Sequence, residues 1–383
     1  MRYIVNDPDG IREYLMPLTY TRPTGAIRVG LLSMAERWRL FLPGEYGWHT
    51  EEYLSELYPS IESPDFRLAG NVVADAAMAA AVASLSEGER LVGSDGREIA
   101  RRGADVTADV VYAGEVIAID RVYDIFGYNG RVLRVDIAAV TAGRQSQPLD
   151  PSNIVIGNQA DVFVEEGATV LGATLNTLGG PIYIGRDATV MEGSRLRGPL
   201  GLCGHSTVNM GTLIYADTTV GPWCKVGGEL NNVVMQGYSN KAHDGFLGNA
   251  VIGEWCNLGA GCTASNLKND YSEIKLWSYP SHRFVRTGLQ FCGLIMGDHS
   301  KAAINTSFNT ATTVGVGCNI VSGDMPRVFI PSFLKGGSAG FDEVPMGEFF
   351  KIAERVMARR GVALTDAMRR MYTAVAEYSD RFR

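Results

Sequence analysis

The chain has five histidines, at 49, 205, 243, 282 and 299, and His243 has the neighbours that chemistry would ask for. It lies in the segment Tyr238 to Gly248, YSNKAHDGFLG, two residues after Lys241, a cation able to hold a phosphate. Glycines at 245 and 248 let the backbone approach a ligand. Asn257 and Asn266 follow within what the spacing makes the next turns of chain. A neutral imidazole in that setting can accept a proton from an attacking amine. The plain alternative for a lone loop histidine is solvation. His205, His243 and His299 lack the spacing of a histidine set bridging a metal between subunits. The six cysteines, at 203, 224, 256, 262, 292 and 318, contain no CxxC pair, so no metal site is expected and the thiols should be reduced and buried.

The elements that must position His243 are announced by a repeat. Ile184, Val190, Leu196, Leu202, Val208, Ile214, Val220 and Val226 recur every six residues, and Ile252 and Leu258 resume the spacing. Met296, Phe308, Val314 and Ile320 continue it. Each hexad should form one flat side of a triangular coil, its aliphatic residue pointing inward, with three hexads to a turn. Small residues and glycines are expected at the corners. From about residue 154 the chain is therefore read as a left-handed parallel β-helix. The phase breaks around Asn231–Phe246 and Ser265–Phe291, which are expected to be loops leaving the coil.

Residues 1–105 read as an α/β domain and 106–153 as a connector with strands. The β-helix is expected over 154–325 and a helical segment over 326–383. Tyr3-Ile4-Val5 is a strand ending in the turn Asn6–Gly10. Leu31–Leu42 and Asn71–Leu85 are helical in pattern, and Val110–Ala118 and Val132–Ile137 strand-like. Met346–Arg360 and Thr365–Phe382 should form two helices, the first with an apolar stripe of Phe349, Ile352, Val356 and Met357. The net charge of −7 argues against nucleic acid or an anionic membrane as partner. MRYIVNDPDG holds no signal-like apolar core and no run of eighteen apolar residues occurs, so a cytoplasmic protein is expected.

Ser239–Asn266, SNKAHDGFLGNAVIGEWCNLGAGCTASN, resembles the acetyltransferase domain of the bifunctional N-acetylglucosamine-1-phosphate uridylyltransferase/glucosamine-1-phosphate acetyltransferases. The shared blocks are the histidine segment, Leu-Gly, a hexapeptide, Asn-x-Gly-Ala-Gly, and an asparagine matching Cys-Asn-Tyr. The whole chain looks like a group of two-domain sugar nucleotidyltransferase/acyltransferase proteins, on PLTYTRP (17–23), DGFLG (244–248) and LQFCGLIMGDHSK (289–301). The resemblance implies acetyl transfer from acetyl-CoA to the amine of an amino-sugar phosphate, or a sugar nucleotide, by a homotrimer. It makes His243 the general base, sets Asn257 and Asn266 near the sugar, and puts Ala260 beside the thioester. Arg197, Lys225 and Lys241 are then candidates for the sugar phosphate, and Lys301 for a CoA phosphate.

Two departures are chemical: Phe246 and Leu267 stand where the family has tyrosines, and Lys268 is the residue that could restore a lost contact. Met16–Gly30 resembles the second phosphate-region block of sugar-1-phosphate nucleotidyltransferases, which makes Arg22 and Arg28 candidates for nucleotide phosphate. The glycine-rich loop that should precede it is replaced by Asn6–Tyr14, NDPDGIREY. Mg²⁺ is implied only if this half transfers nucleotides. A bifunctional enzyme and a non-catalytic sugar-nucleotide-binding solenoid remain the alternatives.

Overall fold

Each aliphatic residue of the series from Ile184 to Val226 is at most 3% exposed and joins one continuous core. Burying a side chain of this size is worth about 1.5–3 kcal/mol, so the column is the main source of stability here. Val190 pairs with Val208 and Val208 with Val226, parallel and in register, so a turn takes eighteen residues, or three hexads. This is the left-handed parallel β-helix, and the computed structural model describes residues 1–321 and 324–383 of the chain. In these turns the first side of the prism is Thr189–Val190, Thr207–Val208 and Lys225–Val226. The second side is Arg195–Arg197 and Leu213–Ile214, and the third is Leu200–Leu202 and Thr218–Val220.

One corner departs from the expectation of small residues. Asp187, His205, Trp223, Tyr238, Trp255, His299 and Phe333 all hold φ between 53° and 61°. A left-handed conformation costs a non-glycine residue roughly 1–2 kcal/mol. Here the side chains point outward from the corner and stack, with His205 on Trp223 at 4.2 Å and Tyr238 on Trp255 at 4.1 Å, which offsets part of that cost.

The first phase break is not a loop. Glu229–Gly237 and Phe246–Glu254 are long strands that pair in parallel around a corner, within the coil. The turn is shortened instead, so Val226 meets Lys241 only fifteen residues on, and Lys241 enters the inward column. The second break does leave the coil. Asn257 pairs with Lys301 and Thr263 with Ser307 across it. The excursion folds into an antiparallel arm, Lys275–Ser278 against Arg283–Arg286.

In the N-terminal half six strands run in the order 45–49, 2–6, 66–69, 98–102, 89–92, 108–111. The first three are mutually parallel. Helices α1 (Met34–Phe41) and α2 (Ala76–Ala83) lie within the expected helical segments. The connector differs from its reading. Only Ala108–Val111 is a strand, and the stretch read as a strand over Val132–Ile137 belongs to α3, Asp124–Thr141. That helix is buried along both flanks because it lies between the N-terminal half and the third side of the prism. Gly130 is needed there, since a Cβ would come within 1.9 Å of Asp217. Val234, Val251 and Ile295, facing outward from the third side, are fully buried against Leu15, Leu18, Ile27 and Val29.

The segment from 326 begins as coil, not helix, since Phe329–Ile330 pairs with Thr313–Val314. Leu334–Gly337 adds a last rung to the first side, and Gly340–Glu343 runs back against it antiparallel. Helices α4 (Met346–Ala358) and α5 (Asp366–Ser379) follow and cover the upper part of the aromatic corner through Phe349 and Tyr372. No helix among the described residues is long and apolar enough to cross a membrane.

Candidate functional site

His243 stands exposed at the corner joining the first side to the second. The reason is local. The strands below and above it are joined by four residues, as between Val208 and Leu213 or Leu258 and Thr263, but Val226 and Glu229 are joined by only Gly227 and Gly228. The backbone of Ala242–Gly245 rests directly on this pair. A Cβ on Gly227 would come within 2.4 Å of the Ala242 carbonyl oxygen, and one on Gly228 within 2.8 Å of that of His243. With no side chain in the intervening turn, Asn209 reaches past it and donates its amide to the Ala242 carbonyl at 2.8 Å. Exposed apolar side chains along this corner include Met210 below, and Ala260 and Ile304 above. Gly261 N–H donates to the Asp244 carbonyl at 3.1 Å, and Asn305 N–H to that of Ala260 at 2.8 Å, which fixes the stacking.

Lys241 does not face this corner from outside. Its side chain points into the prism, fully buried, where the ammonium donates to the carbonyl oxygens of Gly227, at 3.1 Å, and His243. The short corner turns those carbonyls inward, and the lysine satisfies them. Burial pushes its pKa down to about 8. Lys241 is therefore a strut beneath His243, not a free phosphate grip.

The other expected residues are dispersed. Asn257 is exposed on the first side, one turn above Asn240. Lys225 is half-buried on the same side, two turns below Asn257. Lys301 lies one turn above Asn257, with its ammonium on the His299 carbonyl at 2.6 Å and its pKa pushed down to about 8 by burial. Asn266 is at the far end of the second side, its amide bonded to Asn249 at 2.8 Å. Lys268 follows it, donating to the Glu273 carbonyl at 3.0 Å and lining a groove under the arm. Arg197 is exposed on the second side, well below His243, and lines a shallow hollow with Arg195 and Tyr215.

Arg22 and Arg28 hold the two halves together instead of facing a cleft. Arg22 is 4% exposed and ion-paired to Asp298 and, at 3.2 Å, to Glu254, both on the β-helix. Thr21 Oγ1 donates to the same Asp298 carboxylate at 2.7 Å. Arg28 exchanges backbone bonds with the Gln236 side chain, at 2.7 and 3.0 Å, and its guanidinium serves Leu31 O and Glu36. Next to the Arg22 cluster His299 is 2% exposed, with neither ring nitrogen bonded, between Trp255, Phe349 and Tyr372. Burial holds its pKa well below the usual histidine range.

The N-terminal half has a cleft of its own, missed by the sequence reading. It opens at the carboxyl ends of strands 2–6, 45–49 and 66–69, where successive strands fall on opposite sides of the first. Open α/β sheets bind ligands at such points. The cleft holds about 390 Å³ and is lined by Asp7, Asp9, His49, Arg67, Glu98 and Arg101. Asp7 is already engaged by Thr24 N–H at 2.6 Å and by the Thr50 hydroxyl. Among the described residues no three His, Cys, Asp or Glu side chains cluster as a metal site.

Fold and corner together define a hexapeptide-type β-helix with an α/β half docked on one side. Residues 3–145 match the family model described as sugar nucleotidyl transferase. The chain is 24% identical to the bifunctional protein GlmU of Nostoc sp., over 59% of this chain and 51% of that protein. It is 28% identical to GlmU of Mycolicibacterium vanbaalenii, over 63% and 52%. A bifunctional sugar-1-phosphate nucleotidylyltransferase/acetyltransferase of Sulfurisphaera tokodaii is 25% identical, over 45% and 40%. The chain thus spans about half the length of the first curated relatives it matches, and the family model and the Sulfurisphaera relative are both named for group transfer.

Proposed function

We propose that the chain is an acyl-CoA-dependent N-acyltransferase whose general base is His243 and whose acceptor is an amino-sugar phosphate. The observation that carries this reading is the shortened Gly227–Gly228 corner. It leaves one exposed imidazole on a backbone braced by Asn209 and the buried Lys241 ammonium. A hexosamine amine must lose a proton as it attacks a thioester, and a neutral imidazole accepts it. The apolar ledge of Ala260 and Ile304 suits the pantetheine arm of the co-substrate, and coil N–H groups are the available donors for the oxyanion. The name of the Sulfurisphaera tokodaii relative, a nucleotidylyltransferase/acetyltransferase, supports the same class of transfer.

The test is thiol release from acetyl-CoA with a panel of hexosamine phosphates, beside His243→Ala. Acceptor-dependent release that falls about 10²–10⁴-fold in the variant is the expected result. Release that survives unchanged in the variant removes His243 from the chemistry.

A second reading, nucleotidyl transfer by the N-terminal half, is favoured by the family match and by the cleft lined by His49, Arg67 and Arg101. There Mg²⁺ would rest on Asp9 and the nucleotide's own phosphates, since Mg²⁺ commonly takes one or two carboxylates plus substrate oxygens. Pyrophosphate release from a nucleoside triphosphate and a sugar 1-phosphate, lost in Arg67→Ala, is its measurement.

A further inference from the structure

We propose that the groove under the 275–286 arm binds a nucleoside diphosphate, the carrier end of an activated sugar. The groove holds about 760 Å³, a size that accommodates a small-molecule ligand. Its polar lining includes Ser265, Lys268, Lys275, Asn309 and Thr310, and Phe284 forms an aromatic wall.

Three properties select the ligand. The first is charge. Lys275 is exposed and makes no ion pair among the described residues, and Lys268 uses two donors on Glu273 O and Ser272 Oγ, at 3.0 and 3.4 Å, leaving a third. Against these two ammonium groups stand Asp270, which accepts from Ser272 N–H at 3.0 Å, and Glu273 beside Lys268, which Arg286 already neutralises at 2.8 Å. A locally cationic groove in a chain of net charge −7 suits phosphate oxygens. The second is a fixed ring. Phe284 is 42% exposed, with Trp277 against it edge-on at 5.4 Å, and Trp277 is itself stacked on Phe329 at 4.0 Å. A rigid, half-open ring beside cations is a stacking platform for a base. The third is hydrogen bonding: Asn309 and the Ser265 and Thr310 hydroxyls, 3.0 Å apart, offer donors and acceptors for a ribose or a base edge.

The groove lies at one edge of the second side and His243 at the other. Four residue steps, from Gly261 at the corner to Ser265 beyond the strand Thr263–Ala264, separate the edges by at most about 13 Å. If the acyl-transfer reading holds, an acceptor that reaches both is a sugar carried on a diphosphate, longer than a monosaccharide phosphate. Binding in the groove itself does not depend on that reading.

The experiment titrates the full chain with UDP, ADP and inorganic pyrophosphate by calorimetry and tryptophan fluorescence, in an Arg67→Ala background that removes one of the two arginines of the N-terminal cleft. At least one nucleoside diphosphate should bind. Phe284→Ala should weaken it about tenfold while leaving pyrophosphate unchanged, and Lys275→Gln should weaken both. No binding, or binding indifferent to both substitutions, overturns the proposal. Thiol release with hexosamine phosphates but no groove binding would sink the groove and leave acyl transfer standing. Groove binding with no thiol release from any acceptor would do the reverse.

Discussion

The turns from Ile184 to Val226 and those from Val226 to Leu258 stack on one another, yet only the second set breaks its own rule. In the first, every inward position is aliphatic and each turn copies the last at eighteen residues. In the second, a turn loses three residues, a lysine occupies the core column, and a histidine stands on a glycine pair. Regular turns supply stability and little else, because identical turns present identical outsides. A site needs one turn unlike its neighbours, and shortening the chain makes one without breaking the ladder.

Substitutions that move features between the two sets test this contrast. The largest effect is expected from Val208→Lys, which puts an ammonium into a regular turn whose adjoining carbonyl, Asn209 O, is already taken by the buried Ser194 and Thr212 hydroxyls. An unpaired buried charge costs about 3–5 kcal/mol, read as a collapse of the urea unfolding midpoint. Lys241→Val makes the shortened turn obey the hexad rule and should still destabilise, by about 1–3 kcal/mol, because two carbonyls lose their donor. A gain in stability would show that the lysine braces nothing.

His205 and His299 offer a second contrast at the same corner position, one exposed beside Trp223 and one sealed under α4 and α5. Burial depresses the folded pKa of His299, so the unfolded chain binds the extra proton first. Its stability contribution is whole above about pH 6.5 and falls by about 1.4 kcal/mol per unit as the pH drops from there toward the folded pKa. His299→Phe should flatten this acid limb in urea titrations at stepped pH, and His205→Phe should leave it in place. The smallest stability effect belongs to His243→Ala, within about 0.5 kcal/mol by the same titration, because the side chain is exposed. A larger loss would recast the histidine as structural.

The coil was readable because an inward aliphatic every six residues is a one-dimensional signal, and α4 and α5 were readable from their apolar stripes. The strand read over Val132–Ile137 failed for a physical reason: α3 is covered on two flanks, so no single 3.6-residue stripe stands out against its β-branched residues. Lys241 was misread because a charge in the sequence suggests a surface. Counting the hexads through 226–241 would have shown fifteen residues where eighteen were due. Arg22 and Arg28 had no such signal, since Asp298 and Gln236 lie more than two hundred residues away in the chain. The N-terminal cleft and the groove under the arm were hidden likewise, being products of strand order and of a hairpin folding back.

A coil of stacked parallel rungs has no natural length, since each rung offers the next one an open row of amides and carbonyls. At the upper end of the first side this row is closed by Gly340–Glu343, which runs the wrong way for another parallel rung and ends in Asp342 and Glu343. The reversed strand is in effect a terminator: it sets how tall the column grows and denies a second molecule the chance to continue it into a fibre.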